Sequence, residues 1–277
     1  SADNEGNWVP SSRVNLVQRG GFYGHIHTAH RAKMPTDYDK PLLWIPHQLD
    51  NSSGGQVWVN SDRWGPFSGD LLHLSYGKCS LFKIMKEEVD DRWQGAAVRF
   101  PLQFETGIMR GRFNPADGQL YLAGLRVWQS SGARFGAFHR VRYTGKPVYM
   151  PTQLEVKQNG ITITFTNPVD ALFAVDDQNY SIDQWNYQWT KEYGSKMYSV
   201  KDPTKAIGDK KQAAFRGEPV EIESIKLSNN KKTIFLEITD LKPVMQSRIT
   251  FNMKFADGTE LSKQVIVHTI NHVPAKQ

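Results

Sequence analysis

Three histidines fall within six positions near the start of the sequence. His25, His27 and His30 belong to the segment GGFYGHIHTAH, residues 20–30. If this segment is a strand, His25 and His27 project from one face, as a pair of metal ligands would, and His30 supplies a third ligand for a transition metal. Because no Asp or Glu lies close by in the sequence to orient the imidazoles, surface histidines without a metal remain an alternative.

Composition limits the classes of protein that fit. The 277 residues carry a net charge of +6, but Lys and Arg are interleaved with Asp and Glu, so we expect no nucleic-acid partner. The single cysteine, Cys79, rules out an internal disulfide, a Cys-rich zinc motif and a haem-c attachment motif within this sequence. No apolar run approaches the length of a membrane span. The polar start without a methionine suggests a processed or truncated product.

The first 145 residues follow the pattern of strands. Short apolar or alternating runs are separated by Gly, Pro, Asn and Asp, and Asp117-Gly118 forms a tight turn within one of them. The predicted strands contain the sequences GQVWVN, DLLHLSY, SLFKIMKE, GAAVRFPL, GIMRGRFN, GQLYLAGL and AFHRVRYT. The first segment is therefore predicted to be all-β.

A second all-β segment, residues 146–277, is predicted beyond Gly145, Pro147 and Pro151. Three hairpins are centred on Asn159-Gly160, Asn229-Asn230 and Asp257-Gly258, which is typical of a small sandwich of the immunoglobulin or fibronectin type III kind. Residues 170–218 are predicted to form a long loop with one or two strands. Its aromatic residues are expected to pack against the first segment: Trp185, Tyr187 and Trp189.

Four stretches of residues 1–143 carry a family resemblance: SRVNLVQRGGFYGH, DNSSGG, RWGPFSGDLLHLSYGKCSLFKI and GIMRGRFNPADGQLYLA. In order and spacing they resemble the C-terminal half of the soluble six-bladed quinoprotein glucose and sorbosone dehydrogenase β-propellers. Residues 145–277 resemble the segment that follows the propeller in large planctomycete and verrucomicrobial multidomain proteins, which often continue into a haem-c domain.

The resemblance implies an incomplete propeller. Residues 1–145 would be its C-terminal blades, about half of the six, and the partner would be the N-terminal half, on the same gene product or on a separate chain. Because half a propeller presents unpaired blade edges, we expect this chain to be stable only beside that partner.

The resemblance also implies a cofactor site. Arg110 and Arg112 match the two arginines that meet the carboxylates of the quinone cofactor PQQ, although an arginine pair bonded to inter-blade backbone is an equal alternative. In the family a lysine also contacts the quinone. Its aligned position in this sequence is Gly77, and the neighbouring Lys78 is the candidate that replaces it. The family's calcium loop is matched in part, with Tyr23 offering a backbone carbonyl and with acidic side chains that compensate for a missing aspartate: Asp3 and Glu5.

The mouth of a propeller is a central funnel, and the resemblance places a set of loop residues there as candidate substrate contacts. They are His25, Asp50, Asn51, Arg126, Trp128 and Arg134. The three histidines would then form a polar funnel wall rather than a metal site. The family's catalytic histidine lies upstream of residue 1, so this chain lacks a complete active site and its catalytic residues are unknown.

Two functions follow. The first is the C-terminal portion of an exported, periplasmic or extracellular oxidoreductase resembling the quinone-dependent sugar dehydrogenases. The alternative is a non-catalytic module of a larger assembly that binds carbohydrate or protein, in which Trp and Tyr side chains stack on sugar faces. A weaker third possibility is a metal- or haem-associated role through the histidines.

Overall fold

A computed structural model describes residues 1–209 and 215–275. The chain is 46% strand and 6% helix, which confirms the predicted all-β class, and its sheets are antiparallel with no closed barrel among the described residues. No helix in this part of the chain has the length and apolar character needed to cross a bilayer.

Twenty strands form within the described residues. The first ten are β1 (Ala2–Asp3), β2 (Ser12–Val14), β3 (Leu43–Ile45), β4 (Ser53–Trp58), β5 (Leu71–Ser75), β6 (Ser80–Val89), β7 (Arg92–Gln103), β8 (Gly107–Phe113), β9 (Leu120–Leu125) and β10 (Gly136–Val141). The next ten are β11 (Pro151–Lys157), β12 (Gly160–Phe165), β13 (Tyr180–Trp185), β14 (Met197–Tyr198), β15 (Ala206–Gly208), β16 (Glu218–Val220), β17 (Ser224–Leu227), β18 (Thr233–Glu237), β19 (Val244–Lys254) and β20 (Glu260–Ile270). The helical pieces are α1 (Ala171–Ala174) and 3-10 turns at Ile26–Thr28, Asp62–Phe67 and Asp177–Asn179.

An eight-stranded antiparallel sheet is the centre of the molecule. Its strand order is β16-β13-β19-β20-β7-β6-β5-β4. The central strands are apolar on both faces: on β7, Val98 packs into the larger core while its neighbour Ala97 packs into a second core on the opposite face. The sequence of a strand that is buried on both faces is a nearly continuous apolar run, and GAAVRF in β7 is such a run.

Smaller sheets cover both faces of the central sheet. The sheets β8-β9-β10 and β11-β12-β18-β17 share the larger apolar core with it, and the sheet β1-β2-β3 covers the second core. The close approach of β4 to β8 requires glycine, because a Cβ on Gly54 would lie 2.1 Å from the carbonyl oxygen of Ile108. The small sheets thus position the loops of the candidate site against a packed scaffold.

The central sheet crosses the boundary expected near residue 145. Strands β7 and β20 are paired in register, with Val98 opposite Ile266 and Ala97 opposite Val267. All three predicted hairpins form, as β11–β12, β17–β18 and β19–β20. The two segments therefore share one sheet and one core.

Residues 170–218 are more regular than the predicted loop. Their described part contains α1, three strands, β13 to β15, and the first residue of β16, and β13 joins the central sheet beside β19. The alternation of buried Tyr180 and Ile182 with exposed or half-buried Ser181 and Asp183 explains why β13 forms. The packing of its aromatic residues against the first segment is confirmed, since Tyr187 contacts Trp44 and Trp189 contacts Trp8.

Candidate functional site

A buried arginine organises the N-terminal strands. Asp3 on β1 lies opposite Arg13 on β2, and the Arg13 side chain is only 1% exposed. Its Nε and Nη2 donate to Asp3 Oδ2 at 3.0 and 2.8 Å, and Nη2 also donates to the carbonyl oxygen of Tyr23. Asn15 donates to the same carboxylate oxygen at 2.9 Å. The guanidinium therefore lies between the carboxylate and the carbonyl that the resemblance assigns to calcium.

This donor set does not fit a calcium ion. Calcium needs six to eight oxygen ligands, whereas the oxygens of Asp3 and Tyr23 already bind a cationic side chain that would repel the metal. The third predicted ligand, Glu5, is buried elsewhere, with its Oε2 3.4 Å from His47 Nδ1. Arg13 was not among the site residues predicted from the sequence.

His25, His27 and His30 lie in and beside a 3-10 turn and not on a strand, so the strand geometry considered for a metal pair does not form. Ile26–Thr28 forms a 3-10 turn after Gly24, whose φ of 98° reverses the chain. The rings of His25 and His27 meet edge to face with centroids 5.6 Å apart, and His25 Nδ1 lies 3.1 Å from Thr28 Oγ1. In residues 1–209 and 215–275, no three His, Cys, Asp or Glu side chains are grouped to hold a metal ion.

Asp50, predicted at the funnel, is instead a fully buried structural group. Its Oδ2 lies 2.7 Å from His73 Nε2, and its Oδ1 accepts from the Ser75 hydroxyl at 2.6 Å and from the Ser52 amide at 3.0 Å. Gln56 Nε2 lies 3.0 Å from the other imidazole nitrogen of His73. This network ties the loop before β4 to β5 and leaves Asp50 inaccessible to a substrate.

Arg110 and Arg112 project from the same exposed face of β8, as their spacing predicts. Arg110 Nη1 donates to the carbonyl oxygens of Gly54 and Met109 at 2.8 and 2.7 Å, and Arg112 Nη1 donates to the carbonyl of Gly111 at 2.7 Å. These contacts are to backbone, as in the alternative considered from the sequence.

Lys78 lies in the turn between β5 and β6, away from the exposed face of β8. Its backbone amide donates to the Ser75 hydroxyl. A side chain cannot replace Gly77 beside it without displacing Asn51, because a Cβ there would lie 2.2 Å from Asn51 Oδ1. Close packing against Asn51 therefore explains why Gly77 stands where the resemblance implies a lysine.

The loop between β9 and β10 presents Trp128 to solvent while its backbone is held in place. The hydroxyl of the buried Tyr76 donates to the Trp128 carbonyl at 2.9 Å and accepts from the Val127 amide at 3.0 Å. Asn51 Nδ2 donates to the carbonyl of Gln129 at 3.0 Å. The Trp128 side chain itself is 80% exposed, so a large aromatic surface is displayed on a fixed backbone.

The two remaining predicted residues, Arg126 and Arg134, belong to the same loop. The Arg126 guanidinium lies 4.6 Å from the centroid of the Phe135 ring, and Arg134 Nε lies 3.1 Å from Glu105 Oε1. Both contacts stabilise the loop at its surface.

Trp128 forms one wall of a cleft of about 880 Å³, which we call the Trp128 cleft. Tyr193, which is 65% exposed, lines the same cleft and also an adjoining cleft of about 780 Å³ that contains Asp3 and Arg13. The residues lining the Trp128 cleft are Glu5, His47, Asn51, Trp128, Gln129, Gln188, Thr190, Glu192, Tyr193, Gly194, Ser195, Lys196, Tyr198 and Asp209.

Neither a family model nor a curated protein nor a solved structure matches this chain. The chemistry of its site therefore rests on the residues themselves.

The Trp128 cleft combines open aromatic surface with hydrogen-bonding side chains. Glu192 and Lys196 are exposed at the cleft, and Gln188 is half-buried in it. Burial, followed by the charge of Lys78, lowers the pKa of His47, so its imidazole is neutral at pH 7. Such a surface suits a polar ligand that also has apolar faces.

Of the predicted site residues, the structure brings Glu5, Asn51 and Trp128 together in this cleft. Arg110, Arg112 and Lys78 line neither cleft. Tyr193 and Tyr76 were not predicted from the sequence to belong to the site. The available signal for Tyr193 was the high tyrosine content of residues 187–198.

Proposed function

We propose that this chain is a non-catalytic module that binds carbohydrate in the Trp128 cleft. The observation that carries the proposal is Trp128 itself, a large apolar side chain left 80% exposed on a loop that buried groups hold in place. An isolated exposed apolar residue needs no explanation. An indole that forms the wall of a cleft on an anchored backbone is a preorganised platform.

Sugars match the two kinds of surface in the cleft. The C–H face of a pyranose ring is apolar and packs on indole and phenol rings, here Trp128 and Tyr193. Its hydroxyls are donors and acceptors, which the carboxylate of Glu192, the amide of Gln188 and the ammonium of Lys196 can satisfy. A cavity of about 880 Å³ has room for a short oligosaccharide.

Binding explains the residues better than redox chemistry does. Arg110 and Arg112 lie on an exposed strand face outside both clefts, and the predicted calcium position is occupied by the guanidinium of Arg13. The oxidoreductase function, an exported location and a half-propeller over residues 1–145 remain predictions from the resemblance, and the immunoglobulin-like sandwich remains a prediction from the three hairpins.

Affinity electrophoresis through gels that contain different soluble polysaccharides tests this proposal. We expect at least one glycan to retard the wild-type chain and Trp128→Ala to remove most of the retardation, because an aromatic–ligand contact contributes on the order of 1–2 kcal/mol. The matched control is Trp58→Ala, since Trp58 is 52% exposed but lines neither cleft. Equal retardation of the wild type and Trp128→Ala by every glycan that binds would contradict the proposal, as would no retardation by any.

A further inference from the structure

The outer face of the sheet β8-β9-β10 carries a cross-strand ladder of arginine and aromatic side chains. In one register row, Arg110 lies opposite Ala123, which lies opposite Phe138. In the next row, Arg112 lies opposite Tyr121, which lies opposite Arg140. Residues that pair directly across antiparallel strands project to the same face. We call this set of six residues the arginine ladder.

The face is exposed although it carries large rings. Phe138 is 72% exposed, and its ring stacks on that of Tyr121 with centroids 5.6 Å apart and an interplanar angle of 26°. The opposite face of the same sheet is covered, since Leu120 and Leu122 are fully buried. The ladder is therefore the solvent-exposed face of a sheet whose other face is packed in the core.

The positive charge of the ladder is largely uncompensated. Within the described part of the chain, no carboxylate forms an ion pair with Arg110, Arg112 or Arg140. Asp117 accepts from the hydroxyl of Tyr121, and its hydrogen bonds and the charges of Arg140 and Arg63 lower its pKa. Of the three ladder arginines, Arg140 is thus the one that acts on this carboxylate.

The ladder is continuous with the Trp128 cleft along the chain. Strand β9 ends at Leu125, the next residues form the Trp128 loop, and β10 returns from Gly136 to the ladder. Two further exposed rings, Trp128 and Phe135, lie in this connection. The ladder also approaches the adjoining cleft in space, because Arg110 donates to the carbonyl oxygen of Gly54, which follows Ser53 in the lining of that cleft.

We infer that the carbohydrate bound in the Trp128 cleft is an anionic polysaccharide, and that the arginine ladder binds its carboxylate or sulfate groups. This inference rests on the proposed function. Guanidinium groups pair with such anions in planar, bidentate geometry. Spacing along a strand places Arg110 and Arg112 two residues, or about 7 Å, apart, so successive charged groups of a chain can be met by successive side chains.

A comparison of polygalacturonate with its fully methyl-esterified, neutral form tests the inference, because the two probes share one backbone. We expect the wild type to bind the acidic form about tenfold more tightly at low salt, with the difference shrinking as salt screens the charges. The triple variant R110Q/R112Q/R140Q should lose that difference and keep its affinity for the neutral form. The control variant K205Q/K231Q/K263Q, with the same loss of charge elsewhere, should behave as the wild type does.

The outcomes separate the two proposals. If the triple variant keeps the preference for the acidic form, or the control variant loses it equally, the ladder inference is wrong while binding in the cleft stands. If Trp128→Ala leaves the affinity for both forms unchanged, the proposed function fails whatever the arginines do. If single-stranded polyuridylate binds the wild type more tightly than polygalacturonate, the ladder is a nucleic-acid surface and the inference is overturned.

Discussion

At the residue scale, His268 is a buried imidazole near the C-terminal end of β20. Among the described residues neither ring nitrogen has a hydrogen-bond partner, and burial lowers the pKa of the side chain to about 3. The imidazole is therefore neutral in the folded protein, while the unfolded chain takes up a proton as pH falls below about 6.5. Because the unfolded state binds the extra proton, the free energy of unfolding decreases as the pH is lowered below about 6.5.

Substitution of His268 by Leu tests this account. Between about pH 6.5 and about pH 4.5 the wild type should lose about 2 kcal/mol more unfolding free energy than His268→Leu loses, which follows from one proton taken up on unfolding. Urea unfolding at the two pH values measures the difference. Parallel losses in the two proteins would show that His268 is not the group that titrates.

At the element scale, the display of Trp128 depends on the anchoring of its loop by Tyr76. Tyr76→Phe removes the hydroxyl that bonds to Val127 and Trp128 but keeps the ring in the core. We expect glycan affinity to fall about fivefold, since a net contribution of about 1 kcal/mol is typical of such a hydrogen bond.

The matched control for Tyr76→Phe is Tyr180→Phe, because the Tyr180 hydroxyl donates to the carbonyl oxygen of Ala174, outside the cleft. Titration calorimetry with a neutral glycan compares the two variants. The loop would not be preorganised by Tyr76 if both variants bound as tightly as the wild type.

Local elements were predictable where periodicity and turn chemistry agree. The hairpin β11–β12 follows from alternating apolar residues on either side of Asn159-Gly160, and the predicted strands of the first segment all form. The His25 segment was not predictable in this way, because a 3-10 turn and a short strand share the same polar composition. The strands' partners were also hidden, since nothing local to β7 indicates that β20, more than 150 residues later, lies beside it.

The candidate site shows the same limit. The resemblance placed Trp128 and Asn51 among the candidate substrate contacts of a funnel, and both line the cleft. Arg110 and Arg112 were predicted to share a face, which they do. Asp50 was predicted to be exposed, but its partners His73 and Ser75 lie on a strand that closes over it, and such burial depends on long-range packing.

At the scale of the whole molecule, the central sheet makes the two halves of the sequence interdependent. Strands from both sides of residue 145 are hydrogen-bonded through β7 and β20 and share one apolar core. We therefore expect the chain to unfold in a single transition in scanning calorimetry, with the calorimetric enthalpy equal to the van't Hoff enthalpy.

Two separated transitions, with one assigned to residues 1–145, would contradict this expectation. A single transition in a monomeric sample would in turn count against the expectation that the chain is stable only beside a partner.

The central claim is that Trp128 is the platform on which a sugar binds. The chain has eight tryptophans, so a ¹⁵N spectrum of the labelled protein should contain eight indole signals, and the one missing from Trp128→Ala identifies Trp128. On titration with the glycan that binds best, we predict that this signal shifts most and saturates at the Kd of the complex. Saturable shifts confined to the other indole signals, with that of Trp128 unmoved, would contradict the claim.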